Sequence, residues 1–104
     1  MNWKNKKLKN LARAISVLKN PHDIANFLRD LCTLDELKEM SSRWDVVLLL
    51  SQGKTYREIA QETGLSTTTV TRISYWLEHG EDGYKTVLQR RDEALPRLYK
   101  KSRK

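Results

Sequence analysis

Apolar residues recur every three to four positions along most of this 104-residue chain, which is the spacing of helices that bury one face. The first stripe predicts a helix over residues 5–19, and Asn20-Pro21 fits the cap and first position of a second helix. Residues 33–51 carry a longer and wider stripe that begins with the capping-box sequence TLDE. The pattern therefore predicts an all-α fold.

Residues 55–78 have the pattern of a helix-turn-helix; they begin with TYREIAQETGLSTTTVTRISYWL. Thr55 and Glu58 have the spacing of a capping box, which predicts the start of a short helix. Gly64 provides the left-handed conformation at the turn, and Ser66 fits the N-cap of the next helix. A helix-turn-helix lays its second helix in the DNA major groove, so the motif predicts double-stranded DNA as partner.

The polar positions of this motif are the candidate DNA contacts. Threonine offers a hydroxyl to base edges and a methyl group to thymine, and helix propensity alone would not select so many threonines in one helix. The helix starts are expected near phosphates, which backbone N–H groups and cations bind. We expect these residues to face bases: Thr67, Thr68, Thr71 and Arg72. We expect these to face phosphates: Lys54, Thr55, Tyr56, Arg57, Ser66 and Thr69.

The basic residues are concentrated at the two ends of the chain. The formal net charge is +7, yet residues 21–89 hold seven basic and eleven acidic residues, for a net charge of −4. Residues 1–20, which include Lys4, have no acidic residue. Terminal Lys/Arg runs commonly bind phosphate, although they also serve as solubilising surface. Residues 54–77 have a net charge of only +1, so affinity must come from the tails, from dimerisation or from both.

Other functional classes find little support in the sequence. A single cysteine, Cys32, allows no internal disulfide, and the longest apolar run, residues 46–50, is too short to span a bilayer. We therefore expect a cytoplasmic protein that does not act on membranes. His22 and His79 lie far apart, with no metal-ligand spacing and no glycine-rich phosphate loop. We predict that the protein is not an enzyme and uses no metal or cofactor.

The chain length fits one domain. We place a single helical domain at residues 1–95, with a last helix that Asp82 begins and Pro96 ends. Residues 96–104 are expected to form a disordered basic tail.

From Phe27 to Leu88 the sequence resembles the Trp repressor superfamily, in particular its YerC/YecD-like branch. The resemblance is carried by LCTLDELKEMSSRWDVVLLLSQGKTYREIAQETGLSTTTVTRISYWL and by the following EHGEDGYKTVL. It implies six helices and an intertwined homodimer that presents its two reading helices to successive major grooves. It thus implies a sequence-specific transcriptional regulator, most simply a repressor.

The resemblance also identifies a former effector pocket: Thr33, Arg43, Ile73 and Trp76. The best-known family member binds tryptophan there, between two arginines whose counterparts are Arg43 and Arg72. Ile73 stands where that member has a glycine, which leaves room for the indole, and Trp76 stands where it has a serine. We therefore expect Ile73 and Trp76 to fill the space, and we expect no binding of free tryptophan. Whether another effector exists stays open.

Two other functions fit the same fold. The helix-turn-helix could dock a protein, although its threonine-rich face lacks the aromatic or aliphatic anchors of most interfaces. The basic ends could also bind nucleic acid without sequence preference, which a steep salt dependence would reveal.

Overall fold

The computed structural model describes residues 5–98, so Lys4 and the last part of the predicted tail, residues 99–104, lie outside the described residues. Within this range the chain forms helices and no strand, which confirms the all-α prediction. The helices are α1 (Lys6–Ser16), α2 (Pro21–Leu31), α3 (Leu34–Ser51), α4 (Tyr56–Thr63), α5 (Thr67–His79) and α6 (Gly83–Leu98).

The helix starts follow the local signals in the sequence. The Asn20 side chain caps α2 by accepting from the backbone N–H of Asp23 at 2.9 Å. At the start of α3, Thr33 Oγ1 accepts from Glu36 N, and Glu36 Oε1 accepts from Thr33 N at 2.8 Å. This reciprocal pair satisfies two N–H groups that a helix start leaves without partners. α1 is shorter than predicted and ends at Ser16.

The last helix passes through Pro96 and ends at Leu98. The prediction that Pro96 ends the helix is therefore wrong. Proline has a φ near that of a helix, and only two helical residues follow Pro96, so little of the helix depends on the backbone hydrogen bond that the proline lacks. Residues 96–98 of the predicted tail consequently belong to α6.

The chain divides into two compact units, residues 1–41 and residues 42–104, and α3 contributes to both. Unit 1 contains α1, α2 and the start of α3. None of the side chains described in unit 1 is fully buried, although α1 and α2 are strongly amphipathic. In this unit Leu31 and Leu34 are at least half exposed, and Met40 is exposed as well.

Unit 2 has a core of five buried aliphatic side chains: Val46, Val47, Ile59, Val70 and Ile73. They come from α3, α4 and α5, so the core fixes these helices against one another. Partly buried side chains surround it: Trp44, Leu49, Leu50, Ala60, Leu65, Leu77, Tyr84 and Leu88. Within residues 5–98, no helix combines the length and the apolar character needed to cross a bilayer.

Candidate nucleic-acid interface

The candidate interface is built on α4 and α5, which a three-residue turn joins. α4 ends at Gly64, whose φ of 76° lies in the left-handed region. A Cβ at this position would meet no atom within 4 Å, so the backbone conformation and not space favours glycine here. Ser66 Oγ then accepts from Thr69 N at 3.1 Å and begins α5. The turn predicted from sequence is therefore present.

Helix α5 has one buried side and one exposed side. Val70 and Ile73 are buried in the core of unit 2, and Leu77 packs against that core. The four residues predicted to face bases are all exposed: Thr67, Thr68, Thr71 and Arg72. Because residues three and four positions apart lie on one side of a helix, the structure brings them together opposite the core. Their contact with DNA stays a prediction.

The threonine hydroxyls of α5 have different partners. Thr71 Oγ1 donates to the backbone carbonyl of Thr67 at 2.8 Å, one helical turn earlier. Thr69 is half-buried, and its Oγ1 lies 3.0 Å from Ser66 Oγ. Both Ser66 and Thr69 therefore take part in the cap of α5. Among the side chains that the structure describes, residues 5–92, the hydroxyls of Thr67 and Thr68 make no hydrogen bond, so they are the ones available to a ligand.

Some of the residues predicted to face phosphates around α4 already have partners within the chain, which the sequence did not indicate. Lys54 Nζ lies 3.5 Å from Glu62 Oε2 in a partly exposed ion pair. The Tyr56 hydroxyl donates to Ser74 Oγ at 2.6 Å and so connects the start of α4 to the middle of α5. Arg57 is exposed, and no described residue pairs with it. Of these two cations, Arg57 is therefore the one without an ion pair, and its contact with phosphate stays a prediction.

A capping box occupies the backbone at the start of α4. Glu58 Oε1 accepts from Thr55 N at 2.8 Å, and Thr55 Oγ1 accepts from Glu58 N. The hydrogen bond from the Thr55 backbone, followed by that from its hydroxyl, holds the pKa of Glu58 below its ordinary value. Thr55 thus has no free N–H for a phosphate, and a carboxylate lies beside it. Thr55 therefore belongs to the cap of α4, and its contact with phosphate stays a prediction.

The residues of the predicted former pocket have different environments. Ile73 is only 4% exposed and belongs to the core, whereas Trp76 is 58% exposed. The Trp76 ring makes an edge contact with Tyr75, with ring centroids 5.5 Å apart. Trp76 thus does not belong to the core of unit 2, because position 76 lies beside the buried stripe of α5, and its filling of the former pocket stays a prediction. Thr33 begins α3 in unit 1, and Arg43 is exposed in unit 2.

Two further residues, which were not predicted from the sequence, belong to this region. Ser74 Oγ accepts a hydrogen bond from the Tyr56 hydroxyl. With Thr67 and Thr71, Ser74 forms a series of small hydroxyl side chains at positions i, i+4 and i+7 of α5. Tyr75 is 56% exposed, and it lies one helical turn beyond Thr71 on the outer side of α5. The spacing of both residues was visible in the sequence, but their exposure and partners were not.

Comparisons with known proteins agree on one family. The family model for Trp repressor protein matches residues 6–92. The uncharacterized protein YerC of Bacillus subtilis is 37% identical over 87 residues, which is 84% of each chain. A Trp operon repressor homolog of Chlamydia trachomatis is 36% identical over 69 residues, 62% of this chain and 73% of that one. The crystal structure of a TrpR-like protein from Eubacterium eligens superposes with a TM-score of 0.77 at 37% identity, covering 84% of this chain and 90% of that one.

Proposed function

Because the chain belongs to the Trp repressor family, we propose that it regulates transcription by binding double-stranded DNA at a specific sequence. Residues 55–78 act as a helix-turn-helix that lays α5 in the major groove. The observation that carries the proposal is the two-sided character of α5. Val70 and Ile73 anchor the helix in the core, while Thr67, Thr68 and Thr71 are exposed opposite them.

The exposed side of α5 supplies the base contacts, and Arg72 extends them toward the base edges or the adjacent phosphates. Arginine pairs bidentately with guanine or phosphate oxygens, and the exposed Arg72 guanidinium has no partner among the described residues. Arg57 contacts the backbone beside α4. Ser66 and Thr69 approach phosphate only through groups that their cap leaves free, and Lys54 approaches it with the ammonium N–H groups that its partly exposed pair with Glu62 does not use.

A second copy of the chain completes the DNA-binding unit. Unit 1 has amphipathic helices but no buried side chain among those described, and it exposes Leu31, Leu34 and Met40. Apolar area of this kind is stabilised when a partner covers it. A homodimer also compensates for the small charge of residues 54–77, because two reading helices double the phosphate contacts. This dimer is tested by sedimentation equilibrium of Leu34→Lys, with Gln61→Lys as control: only Leu34→Lys should dissociate.

The protein reads DNA without free tryptophan. In the best-known relative, by the resemblance given above, a glycine leaves room for the ligand at the position of Ile73. Here the Ile73 side chain is 4% exposed in a closed aliphatic core. Any effector of this protein would therefore need a different binding mode. Saturable heat on titrating the protein with tryptophan would contradict this part of the proposal.

The deciding experiment is selection of bound duplexes from a random pool, with and without tryptophan. We expect a palindrome with half-sites about one helical turn apart, unchanged by tryptophan. Thr68→Glu/Thr71→Glu should abolish the selection because it places carboxylates against phosphates and base edges. Thr86→Glu is the matched control: Thr86 is also an exposed helical threonine, and its Oγ1 donates to Asp82 O at 2.9 Å. Thr86→Glu should select the wild-type sequence.

The same pool separates the two other functions. Retention of every sequence, with affinity that falls steeply with salt, would indicate a non-specific nucleic-acid binder. No retention by a folded protein would favour a protein-docking module. Deletion of residues 99–104 removes four basic residues. It should weaken binding to all duplexes alike and reduce the salt slope by about 0.9 for each phosphate that the shortened chain no longer neutralises.

A further inference from the structure

The hydroxyl of Thr71 is already used within its own helix. Thr71 Oγ1 donates to Thr67 O at 2.8 Å, a distance typical of a good O–H···O hydrogen bond. A threonine hydroxyl that bonds the carbonyl four residues earlier lies along the backbone, and this fixes the side-chain rotamer. The residue is nevertheless exposed, and because the hydroxyl proton is committed to Thr67 O, the side chain offers a ligand its methyl group and an oxygen that can only accept.

The neighbouring threonines make this arrangement chemically selective. Thr67 and Thr68 are exposed and their hydroxyls have no partner among the described side chains of residues 5–92, whereas Thr69 is half-buried in the cap. Positions 67, 68 and 71 lie on one side of α5. From its N-terminus, this side therefore presents two hydroxyl groups and then one methyl group. The hydroxyls can bond either donors or acceptors, but the methyl group is complementary only to an apolar part of the groove.

Thymine supplies the one apolar group on the floor of the major groove, its 5-methyl group. We infer that Thr71 reads DNA with its methyl group, and that each half-site carries a thymine whose 5-methyl group contacts it. The inference rests on the proposed function and specifies what one residue of that site recognises. The alternative is that the hydroxyl reads a base, either by accepting from a base amino group while it still donates to Thr67 O, or by leaving Thr67 O.

Deoxyuridine tests the inference because it pairs as thymine does but lacks the methyl group. Each thymine of the selected duplex is replaced in turn, and the Kd is measured for the wild type, Thr71→Val and Thr71→Ser. Burial of one methyl group corresponds to about fourfold in Kd. We expect one position per half-site at which deoxyuridine weakens wild-type binding by about that factor. Thr71→Val keeps the methyl group and should respond as the wild type does.

Thr71→Ser keeps the hydroxyl and loses the methyl group. It should bind the thymine duplex about fourfold more weakly than the wild type, and deoxyuridine at the sensitive position should cause no further loss. Thr86→Val and Thr86→Ser serve as controls, because Thr86 Oγ1 at the start of α6 also donates to the carbonyl four residues earlier, that of Asp82. Thermal melting of all four variants separates changes in folding from changes in recognition.

Three results would overturn the inference. If a sequence is selected but replacement of its thymines by deoxyuridine changes the Kd at no position, the inference fails and the proposed function stands. If Thr71→Val loses binding and Thr71→Ser retains it, the hydroxyl is the reading group. If the pool yields no selected sequence, the proposed function fails and the inference fails with it.

Discussion

Replacing Ile73 by alanine tests whether this side chain holds α5 in place. Ile73 is 4% exposed and lies in a cluster with Val46, Val47, Ile59 and Val70. The change removes about three methylene equivalents, which at roughly 0.8 kcal/mol each amounts to about 2.4 kcal/mol of lost transfer free energy. The cavity left behind adds to this, since such substitutions cost about 2–5 kcal/mol. We expect the free energy of unfolding to fall by about 3 kcal/mol.

The assay is urea denaturation followed by circular dichroism, with Val87→Ala as control. Val87 is also a β-branched residue on a helix of unit 2, but it is 50% exposed. Because Val87 is already half exposed, its truncation loses only about half the burial of a core valine, and the better helix propensity of alanine offsets part of that loss. The control should therefore change the free energy of unfolding by about 0.5 kcal/mol or less. A loss of about 3 kcal/mol corresponds to a fall in Tm of roughly 12–24 °C for a domain of this size.

The difference in the free energy of unfolding between Ile73→Ala and Val87→Ala tests whether the buried Ile73 side chain holds α5 in place. If Ile73→Ala were as stable as the wild type, position 73 would lie in space that a second molecule fills or that collapses freely. If Val87→Ala lowered the free energy of unfolding as much as Ile73→Ala does, the exposure of a side chain in the single chain would not predict its contribution to stability. That result is expected if a partner chain covers α6. Both measurements are made at several protein concentrations, because the stability of a dimer depends on protomer concentration.

Three further predictions concern a glycine, a hydrogen bond and a titratable cap. Gly80→Ala should destabilise the protein by about 1–3 kcal/mol in the same urea assay, because a Cβ there would lie 2.5 Å from the carbonyl oxygen of Trp76; a neutral result would contradict this clash. Tyr56→Phe and Ser74→Ala should each cost about 0.5–1.5 kcal/mol and show coupling in a double-mutant cycle, whereas strictly additive losses would mean that their 2.6 Å hydrogen bond contributes nothing. Because the pKa of Glu58 is lowered, its ionised form stabilises the fold at pH values above its ordinary pKa of 4.5, and this contribution disappears as the pH falls through the lowered pKa. The wild type should therefore be more stable than Glu58→Gln in urea at neutral pH, and this difference should vanish on acidification. A difference that grows on acidification would contradict the prediction.

Sequence predicted best those features that depend on neighbouring residues. The capping box at Thr55 and Glu58, the turn at Gly64 and the cap at Ser66 each require only a fixed spacing, and all are present. The buried stripe of α5 was equally visible because helical period determines which side chains share a face. Local chemistry and period were thus enough for the fold of residues 55–78.

The sequence could not show how polar side chains choose among several partners. The Tyr56 hydroxyl bonds Ser74, which is 18 residues away, and Lys54 pairs with Glu62. The exposure of Trp76 depended on where the flank of α5 lies relative to the core, and the sequence did not determine this. A phosphate contact predicted from residue type alone therefore has to be weighed against the partners that the fold already provides.

The lack of a core among the described residues of unit 1 would link the proposed dimerisation to the proposed DNA binding. Helices α1 and α2 contain no buried side chain, so their apolar faces gain little stability from the described residues alone. If a second copy covers these faces, the free energy of association also orders unit 1, as in dimers without a stable folded monomer. The two reading helices would then acquire a fixed separation only in the dimer. Leu34→Lys should consequently abolish binding to a palindrome. It should leave the core of unit 2 intact, because Leu34 belongs to unit 1 whereas the core side chains, among them Val46 and Ile59, belong to unit 2.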